Sequence, residues 1–494
     1  MMRFHLTFPS LVLFFPLILG FYLCDAEERL FDRDASYFDA ERPNAKKAFL
    51  TFGLAAGVKR GGLEPRAYLA QLAKGEKGPQ RVVTVAEDGA WTWYNDERAI
   101  FWRGHLFTGY VTTDGTSAVS AYALPGVSSF SHLKELLLST WKEVDDHNNP
   151  AFLPLNEQDL LAVYARHHTA HEFNSRTIRA HGQGKFSIGP EQTIAQPGSV
   201  TYTNLFRLTR EEDRIYNFFR CLNFSPTMVW SDDEGKTWSE PLQVLTWKTD
   251  QPGNRRPYVK YASDGKGRID LFFNDGHPRI VKNNNVYHLY YENGAFHRSD
   301  GQLVRTVEEL AGKGPIKTDQ GTRIYDGLSE GRGWVHDFER GPDGELAGVY
   351  INSADGDAGL DLRYRYARFD PVTKSWSERE IAFAGPHLYV PENHYAGGIC
   401  LDPENINIVY LSSSLDPASG DPNRTGKYQI YKGMTDDEGE TWHFEQLTFD
   451  LTRDNLRPFV PRDKLDDLET AVLWFRGQYN RYIDYHCEIV GIIE

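Results

Sequence analysis

The stretch Asp145-Asp146-His147-Asn148-Asn149-Pro150 puts three carboxylate or imidazole groups and two amides into six residues, and Arg166-His167-His168 follows about twenty residues later. Imidazoles titrate near neutrality, so a pair of them can take a proton from one atom and return it to another. An arginine beside them adds a fixed positive charge, and an amide adds a hydrogen-bond donor. The segment between must position these groups. Ala151–Leu155 and Leu160–Ala165 read as two short strands joined by the polar turn Asn156-Glu157-Gln158-Asp159. Such a hairpin brings His147, ahead of its first strand, and Arg166-His167-His168, after its second, to the same end of one sheet. No apolar periodicity runs through the His147 stretch, which argues against a buried strand or amphipathic helix there. The bland alternative is a pair of ordinary polar loops.

The rest of the chain predicts strands of the same kind. Of 494 residues, 13% are aromatic, including 26 Tyr and 29 Phe, a bias that favours strands. Runs such as Leu106–Thr112, Ile215–Arg220, Ile269–Phe273, Val286–Tyr291, Leu346–Ile351 and Ile408–Ser412 alternate with Gly, Asn, Asp and Pro turns, which implies an all-β sandwich, barrel or propeller. Helical patterning is confined to Tyr68–Lys74, Ser131–Ser139 and Val307–Ala311. Residues 1–26 read as a signal peptide: Arg3 and His5 precede the apolar run Leu11–Leu23, which is short and broken by Pro16. Residues 27–80 read as a lead-in segment and 81–494 as the catalytic domain. A secreted or periplasmic protein without a membrane span follows, expected to be a monomer. The formal charge of −15 excludes general nucleic-acid or membrane-surface binding. Cys221, Cys400 and Cys487 are too few for a disulfide scaffold, and their odd number leaves at least one unpaired.

A repeat chooses among the β architectures. Ser231-Asp-Asp-Glu-Gly-Lys-Thr-Trp238 recurs as Thr435-Asp-Asp-Glu-Gly-Glu-Thr-Trp442. This is the Asp-box pattern, in which Asp and Gly close a tight turn and Trp anchors the hairpin. Asp370–Trp376 and Glu87–Trp93 are weaker echoes. The two good copies lie 204 residues apart, which reads as four units of about 51 residues, close to the period of a four-stranded blade. A seven-bladed propeller is the expected fold, with its boxes structural rather than catalytic.

Further motifs carry a resemblance. They are Trp91-Thr-Trp-Tyr-Asn-Asp-Glu-Arg-Ala99, Asp145–Pro150, Val200-Thr-Tyr-Thr-Asn204, Phe218-Phe-Arg220, Arg256-Pro-Tyr-Val-Lys-Tyr261, Asn274-Asp-Gly-His-Pro278, Tyr290–Gly294, His394-Tyr-Ala-Gly397, Asp454–Pro458 and Leu473–Gly477. From about residue 80 onward the chain resembles the Asp-box (BNR) repeat proteins that include the seven-bladed propeller ulvan lyases. The resemblance implies a polysaccharide lyase acting on an acidic, sulfated, uronate-containing polysaccharide. It carries catalytic roles onto His147, His167 (or its neighbour His168), Arg220 and Tyr258, with Tyr202 a further candidate.

The chemistry of such a lyase assigns those roles. It removes the C5 proton of a uronate and expels the sugar linked at C4. The neighbouring carboxylate is already negative, so the developing charge needs a cation or donor beside it; Arg220 and Asn148 suit this. His147 and Tyr258 are the expected acid/base pair, with His167 and Tyr202 orienting or sharing those roles. Arg166, Arg255, Arg256, Lys260 and Arg279 would bind the polyanion. Two other classes use such a scaffold: sialidase-like glycosidases and non-catalytic glycan-binding propellers. The first resembles an Arg-Ile-Pro segment in its first blade, where this chain has Asn95-Asp-Glu-Arg-Ala99. His277 and His394, with Cys400 following, are candidate ligands for a structural zinc, and Asp-rich turns for calcium. No organic cofactor is implied.

Overall fold

The computed structural model describes residues 82–124, 134–182, 184–249, 256–342, 344–466 and 468–494. The signal peptide, the lead-in segment and the Tyr68–Lys74 helix lie outside them. Strands gather into seven antiparallel blades, as expected. Their innermost strands are Ala99–Trp102, Ala151–Pro154, Thr201–Leu208, Tyr258–Ser263, Arg332–Arg340, Ile399–Asp402 and Asp454–Phe459 for blades 1 to 7. The ring closes in blade 7. Its outer strand is Val82–Ala86, from the N-terminal side of the propeller, paired to the C-terminal strand Asp484–Ile493. Both ends of the ring are thereby held in one sheet.

In each blade, the loop entering the innermost strand and the turn between the second and third strands fall at the same edge. The alternation of antiparallel strands dictates this. The Ala151–Tyr164 hairpin forms as predicted, so His147 and Arg166–His168 do meet. The Asp boxes follow third strands and lie at the opposite edge. In each box one carboxylate closes the turn: Asp233 accepts from Thr237 N at 2.8 Å and Ser231 Oγ at 2.8 Å, and Asp437 repeats this with Thr441 and Thr435. Gly235 and Gly439 have φ of +82° and +95°, which disfavours a side chain. The box tryptophans reach across to the preceding blade. Trp238 packs edge-on against Phe173 and Trp442 against Tyr366.

Three expectations are corrected. The good boxes sit in blades 3 and 6, so the 204 residues span three blades rather than four. Long insertions cause this, chiefly in blade 4, where the extra hairpin Ala295–Thr306, the helix Val307–Lys313 and the strand Thr322–Tyr325 intervene. Within Ser131–Ser139, Lys134–Leu137 is the outer strand of blade 1; pairing with Ala118–Ala121 overrides the helical pattern. Of the weak echoes, Asp370–Trp376 is a genuine third-to-fourth strand turn, with Asp370 accepting from Val372 N and Thr373 N. Glu87–Trp93 leads instead into the centre of the ring.

The centre is filled by Trp91–Arg98. Asn95 Nδ2 donates to the carbonyls of His147 and Asn149 before blade 2. Asp96 exchanges backbone hydrogen bonds with Thr203 and Leu205 of blade 3 and takes Lys260 of blade 4 as its ion partner. Trp93 Nε1 and Tyr94 Oη both donate to the Val335 carbonyl of blade 5. Trp93 also meets Tyr395 ahead of blade 6, and Arg457 of blade 7 sits 4.8 Å over its ring. The segment therefore plugs the ring's axis and forms the floor of the face that carries the motifs.

Candidate active site

On that face, Asp145 lies beneath two histidines. Its Oδ1 is 2.6 Å from His147 Nδ1 and its Oδ2 is 2.7 Å from His167 Nδ1. The two rings stack with centroids 4.0 Å apart and 12° between planes, and Tyr482, from the second-to-third strand turn of blade 7, meets both edge-on. Behind His147, Asp146 is held by Arg457 Nη1 and Tyr479 Oη, each at 2.6 Å. Next around the ring comes Tyr202, 5.8 Å from the His147 ring. It sits at an irregularity in strand pairing between Thr201 and Asn204, with φ of +69°. A tyrosine in the left-handed region costs about 1–2 kcal/mol, a local strain found preferentially at functional positions.

Arg220 ends the second strand of blade 3 and is 2% exposed. Its guanidinium lies over the rings of Tyr202 at 5.0 Å and Tyr258 at 4.4 Å. Among the described residues Nη1 has no hydrogen-bond partner. A buried guanidinium with an unsatisfied N–H is costly without an anionic or acceptor partner. Tyr258 opens the innermost strand of blade 4, and Arg256 stacks between Phe224 and Tyr258. A small recess of about 20 Å³, room for about one water, lies among Tyr94, Tyr202, Arg220 and Tyr258.

The electrostatics divide the acid/base groups. Burial works against a charged His147, but Asp145 and Asp146 outweigh it and raise its pKa to about 9. Burial would also raise Tyr258, but Arg256 and Arg220 together bring it below its ordinary value. Tyr202 goes the other way: burial dominates and raises it, with Arg220 opposing only in part. His147 therefore holds a proton at neutral pH, Tyr258 loses one more readily than a free tyrosine, and Tyr202 stays neutral.

The structure thus brings His147, His167, Tyr202, Arg220 and Tyr258 to one face. His168 lies beside His167, edge-on to Phe224. Arg279 reaches the blade 4 side of the face, where it pairs with Glu392 at 3.0 Å. Other expected residues are elsewhere. Lys260 is a correction: 1% exposed, its Nζ donates to the Trp93 carbonyl at 2.6 Å and pairs with Asp96 in the plug. It cannot reach a polymer. Asn148 is fully buried and donates to the Glu143 carbonyl, so it is no donor to substrate. Arg166 stacks its guanidinium on Trp141. Arg98 of the first-blade segment is buried in the plug against Asp96. Arg256, expected to bind the polyanion, does reach the site; Arg255 lies outside the described residues. Asp145, Glu392 and Tyr482 were missed as site residues. Asp145 stood inside the opening motif; the others come from distant loops.

The metal expectation does not fit its residues. His277 Nδ1 accepts from Arg279 N at 3.2 Å, and its Nε2 faces Glu392 at 3.3 Å. His394 is hydrogen-bonded to Ser353 Oγ, with the Arg332 cation at its other nitrogen. Cys400 packs in an apolar cluster with Tyr410, Ile430 and Trp474. The Asp-box carboxylates Asp233 and Asp437 are spent on their own turns, and Asp232 pairs with Arg214. Among the described residues, Asp145, His147 and His167 alone have metal-ligand spacing, and their ligand atoms already bond one another. Cys221, Cys400 and Cys487 are buried free thiols.

Arg220→Lys keeps a charge but cannot span two aromatic faces or present a planar fork. We expect it to lower turnover by about 100- to 1,000-fold with thermal unfolding little changed. A lysine variant with near-normal turnover would show that the fork is not needed.

No protein of curated function matches the sequence. A solved ulvan lyase of polysaccharide lyase family PL25, bound to -[GlcA(1-4)Rha3S]-, superposes with a TM-score of 0.57. Identity is 12%, over 83% of this chain and 95% of that one. A second structure titled as a PL25 ulvan lyase, with no ligand named, gives the same values. An α-L-arabinanase of Penicillium chrysogenum has a TM-score of 0.40 and 12% identity, over 83% of this chain and 98% of that one. At this identity the likeness is one of fold. Among the described residues no helix is long and apolar enough to cross a membrane. The model of the BNR repeat-containing family matches residues 105–384, more than half of the sequence, and the chain belongs to that family.

Proposed function

We propose that the protein is a polysaccharide lyase that cleaves a uronate-containing, sulfated, ulvan-like polymer by β-elimination. The observation that carries the proposal is Tyr258 lowered between Arg220 and Arg256, with an imidazolium at His147 on the same face. Elimination needs these groups together. Arg220, its Nη1 unsatisfied, neutralises the uronate carboxylate as C5 loses its proton. Tyr258 Oη takes that proton. The C5–H electrons form the C4=C5 double bond, and the C4–O electrons leave with the departing sugar oxygen. His147 protonates that oxygen, and exchange with solvent resets both groups. Tyr202, held neutral, donates a hydrogen bond that orients the ring, and Arg279 serves neighbouring anionic substituents. A fold similar to that of a polymer-cleaving lyase supports this reading. A polymeric substrate also goes with export by the apolar run Leu11–Leu23.

Incubation with a panel of acidic polysaccharides tests the reading. Unsaturated uronyl ends, seen by their ultraviolet absorbance and by mass, are expected. Saturated products or none would exclude a lyase. The pH profile follows from the same groups. His147 must be protonated to act as the acid, so kcat/KM should fall as pH rises through about 9. Tyr258 must be deprotonated to act as the base, so the rising limb should lie below the usual tyrosine range. A profile flat through pH 9 would remove His147 from the acid role.

A further inference from the structure

Asp145 takes no step in the proposed reaction, yet it touches both His147 and His167. It is 5% exposed and sits below them. One carboxylate oxygen serves each ring, at 2.6 and 2.7 Å from the Nδ1 atoms. An ionised carboxylate only accepts hydrogen bonds, and Asp145 is held well below the usual carboxylate range by the two histidines despite its burial. Each Nδ1 facing it must therefore carry the hydrogen. The Nε2 edges are then turned away from Asp145. The parallel stacking of the rings follows from the same clamp, since one planar carboxylate sets the place of both.

We infer that Asp145 is the positioning residue of this site, binding His147 and His167 as one unit and holding a hydrogen on the Nδ1 of each. The inference rests on the lyase reading for its catalytic consequence but not for its geometry. A ring fixed this way keeps one orientation and its Nδ1 hydrogen through the reaction, as when a carboxylate orients a catalytic imidazole. Asp146 assists at His147 alone, with Oδ1 3.0 Å from that Nδ1, and is itself tied back to Arg457 and Tyr479. Glu143 accepts from the His167 backbone N–H. Asp145 is thus the shared partner of the pair.

Asp145 also caps the short turn Asp146–Asn148, accepting from His147 N at 2.9 Å, so a purely structural role has to be separated. Asp145→Asn does this. The amide oxygen keeps the cap and one ring, but the amide NH₂ faces the other ring, whose Nδ1 must then become the acceptor. The test is 15N NMR of the imidazoles in the full chain, with the two residues assigned by loss of their signals in His147→Gln and His167→Gln. Read above about pH 9, where His147 is neutral, both rings of the wild-type protein should be protonated at Nδ1, and in Asp145→Asn one should switch to Nε2–H. With a uronate polymer, kcat should fall at least about 100-fold with KM within about threefold. Either wild-type ring found as the Nε2–H tautomer overturns the inference even if the asparagine variant fails to fold. So does an asparagine variant with switched tautomer and undiminished kcat. If the wild-type protein eliminates no uronate, the lyase reading fails, while the tautomers still decide the clamp.

Discussion

Tyr258→Phe should lower kcat on a uronate polymer by about 1,000- to 10,000-fold, the upper part of the range for loss of an acid/base group. The change removes a single oxygen. The ring remains against Tyr94 at 5.1 Å and Trp334 at 5.7 Å, and under Arg220 at 4.4 Å, so neither packing nor the cation–π stack is lost. KM and the unfolding midpoint should therefore stay close to wild type, leaving chemistry as the step affected. Steady-state kinetics on the phenylalanine variant decide the matter. Retention of more than a tenth of wild-type kcat would assign the base to another group and would break the link between the arginine pair and the chemistry.

His147→Ala should cost about 100- to 10,000-fold in kcat. Its stability effect differs from what an exposed polar turn would suggest. His147 is 6% exposed and walled by Tyr202 and Tyr482, so truncation opens a gap and costs about 1–3 kcal/mol. Neither carboxylate is orphaned: Asp145 keeps His167, and Asp146 keeps Arg457 and Tyr479. The variant should fold, bind the polymer through Arg220, Arg256 and Arg279, and fail to cleave it. Unsaturated ends appearing at near the wild-type rate would show that His147 is not the acid.

Much of the site was legible because it is built from short sequence neighbourhoods. The hairpin Ala151–Tyr164 is local, and it alone places His147 beside His167. The Asp boxes give the fold for the same reason, since each closes its own turn. Lys260 shows where such reading fails. Its place in Arg256-Pro-Tyr-Val-Lys looks like one basic patch. Tyr258 and Lys260 lie on the same face of one strand, but Tyr258 opens it at the pocket, whereas Lys260, two residues farther along and about 7 Å deeper, reaches the plug. Asp96, more than 160 residues away in sequence, is what claims it. Glu392 and Tyr482 were hidden for a similar reason: their loops carry no pattern, and only ring closure brings them to the face. The blade count came out as expected although the spacing was misassigned, because insertions lengthen some blades without adding any.

The plug Trp91–Arg98 bears on the order in which the chain can fold. Its partners are spread along nearly the whole propeller: Trp91 Nε1 donates to the Arg457 carbonyl across 366 positions, and Arg457 Nη1 returns a bond to the Trp91 carbonyl. Among the described residues the strand just before it, Val82–Ala86, pairs only with the last strand of the chain. Contacts of such long range form late, because the loop they close must be paid for in entropy before they reward it. The first part of the propeller to be synthesised is therefore the last to find its place, and the floor of the site is laid only after all seven blades exist.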